Sequence, residues 1–230
     1  MNPMAEADVD SAIAALPLSP RAATVLETGC GGAELLLRVL EAHPGARGVG
    51  VDPDPDALER ARAAAAARLA PERRPELLQA RAQDADLAAG GYDLVVNVAS
   101  SHAHGGFPAA IAELAALARP VGGLVLLGEG YWTRPPADAY LEALGGATAD
   151  ELPAGVDALG AAARAAGLDV LDVREASTAD WAAYEEGLAA EAERHDDEDS
   201  RAYARRIRER RALPGGDMTM GFALLTLRRR

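Results

Sequence analysis

The sequence predicts an α/β fold built around a parallel sheet. Short runs of β-branched and aliphatic residues alternate with longer, alanine-rich stretches of helical character, as in strands joined by crossover helices. The first strand-like run leads directly into a glycine-rich turn, and acidic residues follow the first three runs. A chain of 230 residues is long enough to bury a sizeable core, so we expect one domain over residues 1–230.

The individual elements follow from this alternation. The predicted strands are 23–27, 48–51, 76–80, 92–98, 123–127, 168–173 and 218–227. The predicted helices are 33–42, 54–69, 108–118 and 155–166. Asp54 is a suitable N-cap with Pro55 at the first helical position, and Gly167 suits the C-cap of a helix.

Two segments, 129–152 and 176–216, interrupt the alternation after predicted strands. Ligands of open α/β sheets bind beyond the carboxyl ends of the strands, and insertions this long are usually functional. Four of the nine aromatic residues of the chain, Tyr131, Trp132, Trp181 and Tyr184, lie in these segments, which we interpret as cap segments over an acceptor pocket. Packing of a cap onto the domain is the alternative role for these aromatic side chains.

Composition excludes several kinds of chemistry. The chain has 23 basic and 36 acidic residues, and every basic residue is arginine, so no lysine can form a Schiff base or a P-loop. A net charge of −13 argues against nucleic acid or an anionic membrane as partner. The single cysteine, Cys30, excludes an internal disulfide. With no membrane-spanning run and an acidic N-terminus, we expect a cytoplasmic protein, and the composition suggests a bacterial source.

The most informative segment is the glycine-rich turn after the first strand. Gly29 and Gly31 allow the backbone to approach a ligand, and the helix that follows offers free N–H groups. The dinucleotide fingerprint needs a further glycine where this chain has Glu34, so that pattern fails. Glu27, at the strand end, would repel a pyrophosphate and favours a ligand with a cationic end.

Two more acids follow the next two strands. Asp52 closes the second strand 21 residues after Gly31, the spacing at which a carboxylate meets the hydroxyls of a ribose. Asp84 follows the third strand and is placed to accept from an adenine amino group. Because the three strands are consecutive, we expect Glu27, Asp52 and Asp84 to lie along one edge of the sheet.

These motifs resemble those of class I S-adenosylmethionine (SAM) dependent methyltransferases. The resemblance rests on the E-x-G-x-G turn, the acids after it, the fourth strand at 92–96 and the segment 119–124 before the fifth. It implies a Rossmann-like, doubly wound sheet of seven strands with the last antiparallel, helical cap insertions, and SAM as cofactor. The G-E-x-Y-W motif at 128–132 is similar to that of a bacterial group of small-molecule methyltransferases.

The resemblance also implies site residues. Glu27 and the glycine backbone would hold the methionine part of SAM, Asp52 the ribose, and Asp84 with Ala85 the adenine. The positions that carry over for cofactor binding are Glu27, Gly29, Gly31, Asp52, Pro53, Asp84, Ala85 and Asn97. Methyl transfer is an in-line displacement, so orienting the two reactants supplies most of the acceleration.

A general base is needed only for an acceptor that starts protonated, and His102 and Glu129 are the candidates. The alternative role of both His102 and His104 is an exposed loop residue or a hydrogen-bonding group of the glycine turn, and that of Glu129 is a hydrogen-bond acceptor for backbone N–H groups. The predicted acceptor-binding residues are His102, His104, Tyr131, Trp132, Trp181 and Tyr184. No metal site is expected, because the acidic run 195–199 reads as a solvated turn.

The expected activity is methyl transfer from SAM to a small-molecule acceptor, with no nucleic acid or membrane partner and a homodimer as a possible assembly. Two other functions stay open. A protein of this fold can use SAM for cyclisation or elimination, and a nonenzymatic regulator can bind SAM or a nicotinamide cofactor. Binding of NADH would favour the nicotinamide reading.

Overall fold

The computed structural model describes residues 2–230, and it confirms the predicted α/β fold with a seven-stranded mixed sheet. The strands are β1 (Ala23–Thr28), β2 (Ala46–Asp52), β3 (Glu76–Gln79), β4 (Leu94–Val98), β5 (Leu124–Trp132), β6 (Leu168–Glu175) and β7 (Met220–Arg229). Their order in the sheet is β3-β2-β1-β4-β5-β7-β6. Strand order reverses between β1 and β4, which is where ligands of doubly wound sheets bind.

Helices connect and flank the strands. They are α1 (Glu6–Ala14), α2 (Glu34–Ala42), α3 (Pro55–Arg68), α4 (Phe107–Leu117), α5 (Asp138–Ala143), α6 (Val156–Ala165), α7 (Thr178–Ala192) and α8 (Glu198–Ala212). The four predicted helices correspond to α2, α3, α4 and α6, each within one residue at either end. The predicted N-cap is confirmed, because the Asp54 side chain accepts a hydrogen bond from the N–H of Asp56.

The first five strands pair in parallel. β1 lies between β2 and β4, with Glu27 opposite Gly50 on one side and Val96 on the other. β2 also pairs with β3, and β4 with β5. The carboxyl ends of these strands therefore share one edge of the sheet, as the positions of the three acids predicted.

β7 runs antiparallel to β5, and two hydrogen bonds show this. Near the amino end of β5, the N–H of Arg229 donates to the carbonyl of Gly123 at 2.8 Å. Past the other end, the N–H of Thr133 donates to the carbonyl of Thr219 at 3.0 Å. Residue numbers rise along β5 as they fall along β7, so the predicted antiparallel last strand is confirmed.

The prediction was wrong about where β5 ends. We expected the strand to stop at residue 127 and an irregular segment to begin at 129, whereas β5 continues to Trp132. The two glycines around Glu129 suggested a turn, but this stretch is nearly all buried, and buried strand pairing outweighs the low strand propensity of glycine. The segment 176–216 contains two long helices, α7 and α8.

The chain divides into two compact units. The first, here called the glycine-loop unit, comprises Glu6–Glu129, Ala161–Val173 and Leu224–Arg230. The second, here called the aromatic unit, includes Gly130–Gly160 and Arg174–Ala223. The expected arrangement of one domain with caps at 129–152 and 176–216 stays a prediction. Within residues 2–230, no helix has the length and apolar character needed to cross a membrane.

Apolar side chains of the sheet and its helices form the core of the glycine-loop unit. Leu26, Val95 and Leu126, on three adjacent strands, have no exposed surface, and neither do Leu36 and Leu58 on α2 and α3. Burying a leucine side chain contributes about 1.5–3 kcal/mol, so this core holds the strand ends in place. The edge of the sheet is thereby a rigid support for the side chains that follow it.

Candidate functional site

The turn between β1 and α2 has the backbone geometry of a close-approach loop. Gly29 and Gly31 adopt φ values of +66° and +50°, a region that strongly favours glycine. A Cβ atom added to Gly29 would lie 2.6 Å from the Cβ of Ser100, in the segment after β4. The two loops therefore pack directly on each other, and glycine at position 29 is required by space as well as by backbone conformation.

Asp52 holds this turn from the end of β2. Its Oδ2 accepts a hydrogen bond from the N–H of Gly31 at 2.8 Å, and its Oδ1 accepts from the N–H of Asp54 at 2.9 Å. The sequence did not predict that Asp52 binds the glycine turn, although the 21-residue spacing placed Gly31 and Asp52 in the same site. Each carboxylate oxygen keeps a second lone pair, so Asp52 can still accept from the hydroxyls of a diol.

Glu27 is a buried acid with 4% exposure. Its Oε2 accepts from the N–H of Leu36 at 3.1 Å, and no arginine of residues 2–230 forms an ion pair with it. Burial raises the pKa of Glu27 to about 8, and the nearby carboxylates of Asp52 and Glu34 also raise it. A cation beside Glu27 would favour its ionised form, so this pocket suits a ligand with a positively charged group.

The predicted cofactor residues lie after three adjacent strands, in the order β3, β2, β1. Asp84, in the turn after β3, is exposed, and its N–H donates to the carbonyl of Arg81 at 3.0 Å. Pro53 is exposed and Ala85 is half-buried. The structure therefore brings these residues to the same edge of the sheet as Glu27 and Asp52, and their contacts with a ligand stay predictions.

Asn97, on β4, is fully buried, and only one of its two polar side-chain atoms has a hydrogen-bond partner among residues 2–230. Its Nδ2 donates to the carbonyl of Thr28 at 3.3 Å and to the Thr28 hydroxyl at 3.0 Å. Its Oδ1 has no hydrogen-bond partner among residues 2–230. Leaving a buried acceptor unpaired costs about 1–3 kcal/mol, a cost that a bound ligand with a donor or a positive charge would remove. This orphaned oxygen fits the predicted cofactor position.

The two predicted histidines differ in environment. His102 is exposed, as its alternative role required, whereas His104 is buried with 3% exposure. The Nδ1 atom of His104 lies 2.5 Å from a carboxylate oxygen of Glu113, and its Nε2 lies 3.1 Å from the Thr28 hydroxyl. Of the two alternatives, His104 is thus a hydrogen-bonded residue before the glycine turn and not an exposed loop residue, and its contact with an acceptor stays a prediction. Glu129, the other candidate base, is buried.

A cavity of about 220 Å³ lies within the aromatic unit. Tyr131 and Trp181 line it together with the acidic side chains of Glu175 and Asp217. The hydroxyl of Tyr131 donates to Glu175, and burial raises the pKa of this tyrosine. The Nε1 atom of Trp181 is buried and has no hydrogen-bond partner among the described residues. The cavity is thus lined by both aromatic and acidic residues.

The other two predicted acceptor-binding aromatics do not line this cavity. Trp132 donates from Nε1 to the carbonyl of Ala149 at 2.8 Å and packs edge-on against Tyr140, with ring centroids 6.1 Å apart. Tyr184 packs against Trp181 at 5.9 Å between ring centroids. Both side chains pack within the aromatic unit, and their contacts with an acceptor stay predictions.

The acidic run at 195–199 and the single cysteine, Cys30, have structural explanations. The acidic run at 195–199 is exposed, and Asp197 caps α8 by accepting from the N–H of Ser200 at 2.8 Å. Across residues 2–230, no group of three or more histidine, cysteine or acidic side chains is placed to hold a metal ion. Cys30 is buried, and burial raises the pKa of its thiol, so it serves as a small apolar residue.

Residues 25–122, which include the glycine turn, Asp52, Asp84 and Asn97, match the family model of a methyltransferase domain. The match spans 98 of the 230 residues, and over this part the chain is similar to methyltransferase domains. The prediction of a class I SAM-dependent methyltransferase is thereby confirmed at the level of activity and cofactor.

Three solved structures are similar to this methyltransferase over its whole length. A SAM-dependent methyltransferase from Thiobacillus denitrificans, in complex with S-adenosylhomocysteine, is 26% identical with a TM-score of 0.81, covering 100% of this chain and 93% of that one. The YjhP protein of E. coli is 25% identical, with a TM-score of 0.85 and coverage of 100% and 94%. A Geobacter sulfurreducens SAM-dependent methyltransferase with S-adenosylhomocysteine, at 24% identity, a TM-score of 0.85 and coverage of 100% and 93%, shares the fold. A search of curated proteins finds no match.

Proposed function

We propose that this methyltransferase binds SAM along the carboxyl edge of β3, β2, β1 and β4, and methylates a small-molecule acceptor in the bacterial cytoplasm. The observation that carries the proposal is Glu27, a buried acid without an arginine partner among residues 2–230. Its pocket calls for a cation, and SAM brings an ammonium group. The Thiobacillus denitrificans neighbour, which was crystallised with S-adenosylhomocysteine, supports the same choice.

The geometry at this edge supports each proposed cofactor contact. Glu27 would accept from the ammonium of the methionine part, which the Gly29 and Gly31 backbone approaches closely. Asp52 would accept from the ribose hydroxyls with the lone pairs that the loop N–H groups leave free. Asp84 and Ala85, beside Pro53, would meet the adenine.

The bound cofactor supplies a methyl group already activated by a sulfonium, so the protein's own residues bind and orient. Holding an acceptor in line with the sulfur replaces a bimolecular encounter and supplies most of the acceleration. His102 lies exposed in the short turn after β4, and we assign it as the base for an acceptor that starts protonated. Glu129 is the second candidate for that proton.

For the acceptor, we propose the cavity of the aromatic unit as the recognition surface. Its lining contains two acids and no arginine, so it suits a neutral or cationic small molecule. Attraction of a cation to the faces of Tyr131 and Trp181 is worth about 0.5–2 kcal/mol. Contacts of His104, Trp132 and Tyr184 with the acceptor, membership of the G-E-x-Y-W group and a homodimer stay predictions.

The test is calorimetric titration of the protein with S-adenosylhomocysteine, SAM and NADH. We expect micromolar binding of both adenosyl ligands and none of NADH. Asp52→Ala should weaken S-adenosylhomocysteine binding at least about 100-fold, because it removes charge-assisted hydrogen bonds to the ribose and loosens the glycine turn. Glu59→Ala, an exposed acid on α3, is the control and should bind as wild type. Unchanged affinity in Asp52→Ala would remove the ribose assignment.

A further inference from the structure

Four hydrogen-bonded side chains run from α4 to β4, and the proposed mechanism uses none of them. The Glu113 carboxylate on α4 is hydrogen-bonded to Nδ1 of His104, and Nε2 of His104 is hydrogen-bonded to the hydroxyl of Thr28 at the end of β1. The same hydroxyl accepts from Asn97 on β4. Thr28 and Asn97 are fully buried, whereas the Glu113 side chain is 44% exposed. The chain therefore connects the protein surface to the edge where we place the cofactor.

The orientation of the Asn97 amide follows from its partners. A backbone carbonyl only accepts hydrogen bonds, so the Asn97 atom 3.3 Å from the carbonyl of Thr28 is the donor Nδ2. That nitrogen also donates to the Thr28 hydroxyl oxygen at 3.0 Å. The acceptor atom of the amide, Oδ1, is then the one left without a partner among residues 2–230.

The protonation of His104 follows in the same way. A carboxylate only accepts, so the Nδ1 atom facing Glu113 carries a proton. In the neutral ring, Nε2 is then an acceptor, and the Thr28 hydroxyl donates to it while accepting from Asn97. The Nε2–H tautomer would instead set a ring lone pair 2.5 Å from a carboxylate oxygen, which is repulsive. A doubly protonated ring would leave the Thr28 proton without this acceptor.

We propose that His104, held in its Nδ1–H tautomer by Glu113, is a positioning residue for the cofactor. It accepts the proton of the Thr28 hydroxyl and so keeps that oxygen as an acceptor for Asn97. Asn97 then presents Oδ1 as a fixed negative dipole to a positive group of the cofactor, either the ammonium or the sulfonium. This inference rests on the proposed cofactor site, because it needs a ligand beside Asn97.

The first measurement is the tautomer of His104, read from two-bond nitrogen–proton correlations of the imidazole in ¹⁵N-labelled protein. His104→Gln removes the signal and so assigns it. We expect the Nδ1–H pattern in wild type and a shift towards Nε2–H in Glu113→Ala, a surface substitution that leaves the core intact. A wild-type ring in the Nε2–H or doubly protonated form would overturn the relay. The tautomer tests the hydrogen-bonded chain, and the ligand affinities below test the positioning role.

The second measurement is ligand affinity, with three probes that differ in charge. SAM carries both the ammonium and the sulfonium, S-adenosylhomocysteine only the ammonium, and 5′-methylthioadenosine neither. Glu113→Ala should weaken SAM binding about tenfold, the loss of about one hydrogen bond, and leave 5′-methylthioadenosine within twofold. An equal loss for S-adenosylhomocysteine assigns Oδ1 to the ammonium, and a loss for SAM alone assigns it to the sulfonium.

Two variants of His104 test whether misfolding causes the loss of SAM affinity. His104→Leu removes the ring acceptor and should match or exceed the loss in Glu113→Ala, whereas His104→Gln offers an amide oxygen to Thr28 and should restore part of the affinity. Glu59→Ala is the matched surface control on α3. Wild-type SAM affinity in Glu113→Ala and His104→Leu would overturn the proposal. If wild type binds no adenosyl ligand, the cofactor assignment fails, and the tautomer alone decides the relay.

Discussion

Two glutamates are buried to nearly the same degree, one in each unit, and their surroundings differ. Glu185 on α7, with 1% exposure, contacts the guanidinium of Arg210 and lies 3.6 Å from that of Arg211. Glu27, with 4% exposure, accepts from the backbone N–H of Leu36, and no arginine of residues 2–230 pairs with it. The first acid has an arginine partner within the fold, whereas the second has no arginine partner among residues 2–230.

The difference separates a structural acid from a functional one. Removing a carboxylate from water costs several kcal/mol unless a countercharge compensates it. In the aromatic unit Arg210 supplies that charge, and its guanidinium also lies over the ring of Tyr140 at 5.6 Å, so one ion pair joins α5, α7 and α8. At Glu27 the cost is visible as a pKa raised to about 8.

The largest effect is expected from Glu185→Ala. Removing one partner of a buried pair leaves Arg210 charged and uncompensated, which costs about 3–5 kcal/mol of unfolding free energy. Urea denaturation measures this loss. Asp196→Ala is the control, since its ion pair with Arg201 is exposed and should contribute nothing measurable. If Glu185→Ala is as stable as wild type, the ion pair does not hold the aromatic unit together.

The second effect is expected from Glu27→Gln, which should weaken ligand binding without lowering stability. The folded-state pKa of about 8 lies above the ordinary value of 4.5, so the folded protein binds more protons between these pH values. Wild-type stability should therefore fall as pH rises through this window, and the variant should lose that dependence. We expect the variant to be at least as stable as wild type at pH 8, yet to bind S-adenosylhomocysteine at least about tenfold more weakly.

Proton release on ligand binding sharpens this prediction. Because an ammonium favours ionised Glu27, wild type should release a proton on binding S-adenosylhomocysteine below pH 8, and its affinity should rise with pH up to that value. Calorimetry at pH 7 in buffers of different ionisation enthalpy counts the protons. Equal proton release in Glu27→Gln would show that another group supplies it. Glu185→Gln should bind the ligand as wild type while losing stability.

The smallest effect is expected from Trp132→Phe, which tests whether this aromatic is structural like Glu185. The variant loses the hydrogen bond from Nε1 to the carbonyl of Ala149, worth about 1 kcal/mol in urea denaturation. Trp181→Phe is the matched variant, since its Nε1 has no partner among the described residues and no bond is lost. A larger loss of stability in Trp181→Phe than in Trp132→Phe would contradict this ranking.

The fold was predictable from local signals, and the errors have a common cause. The bounds of the four predicted helices agreed with those of α2, α3, α4 and α6 within one residue, because caps and alanine-rich stretches are local features. β5 was cut short because glycines on both sides of Glu129 look like a turn until the buried pairing of the strand is known. For His104 the sequence left an exposed loop residue and a hydrogen-bonding group of the glycine turn both open, because its partners, Thr28 and Glu113, are set by the fold.

The sequence by itself determined the order of the seven strands and of four of the helices, the glycine turn, and the three acids at consecutive strand ends, because these follow from periodicity and spacing along the chain. Only the tertiary structure decided that Glu27 is buried without an arginine partner among residues 2–230, that Asp52 also accepts from Gly31, and that Asn97 keeps an oxygen unpaired among the described residues. Burial and hydrogen bonding depend on which residues distant in the chain come together. Net charge and spacing along the chain do not specify these contacts.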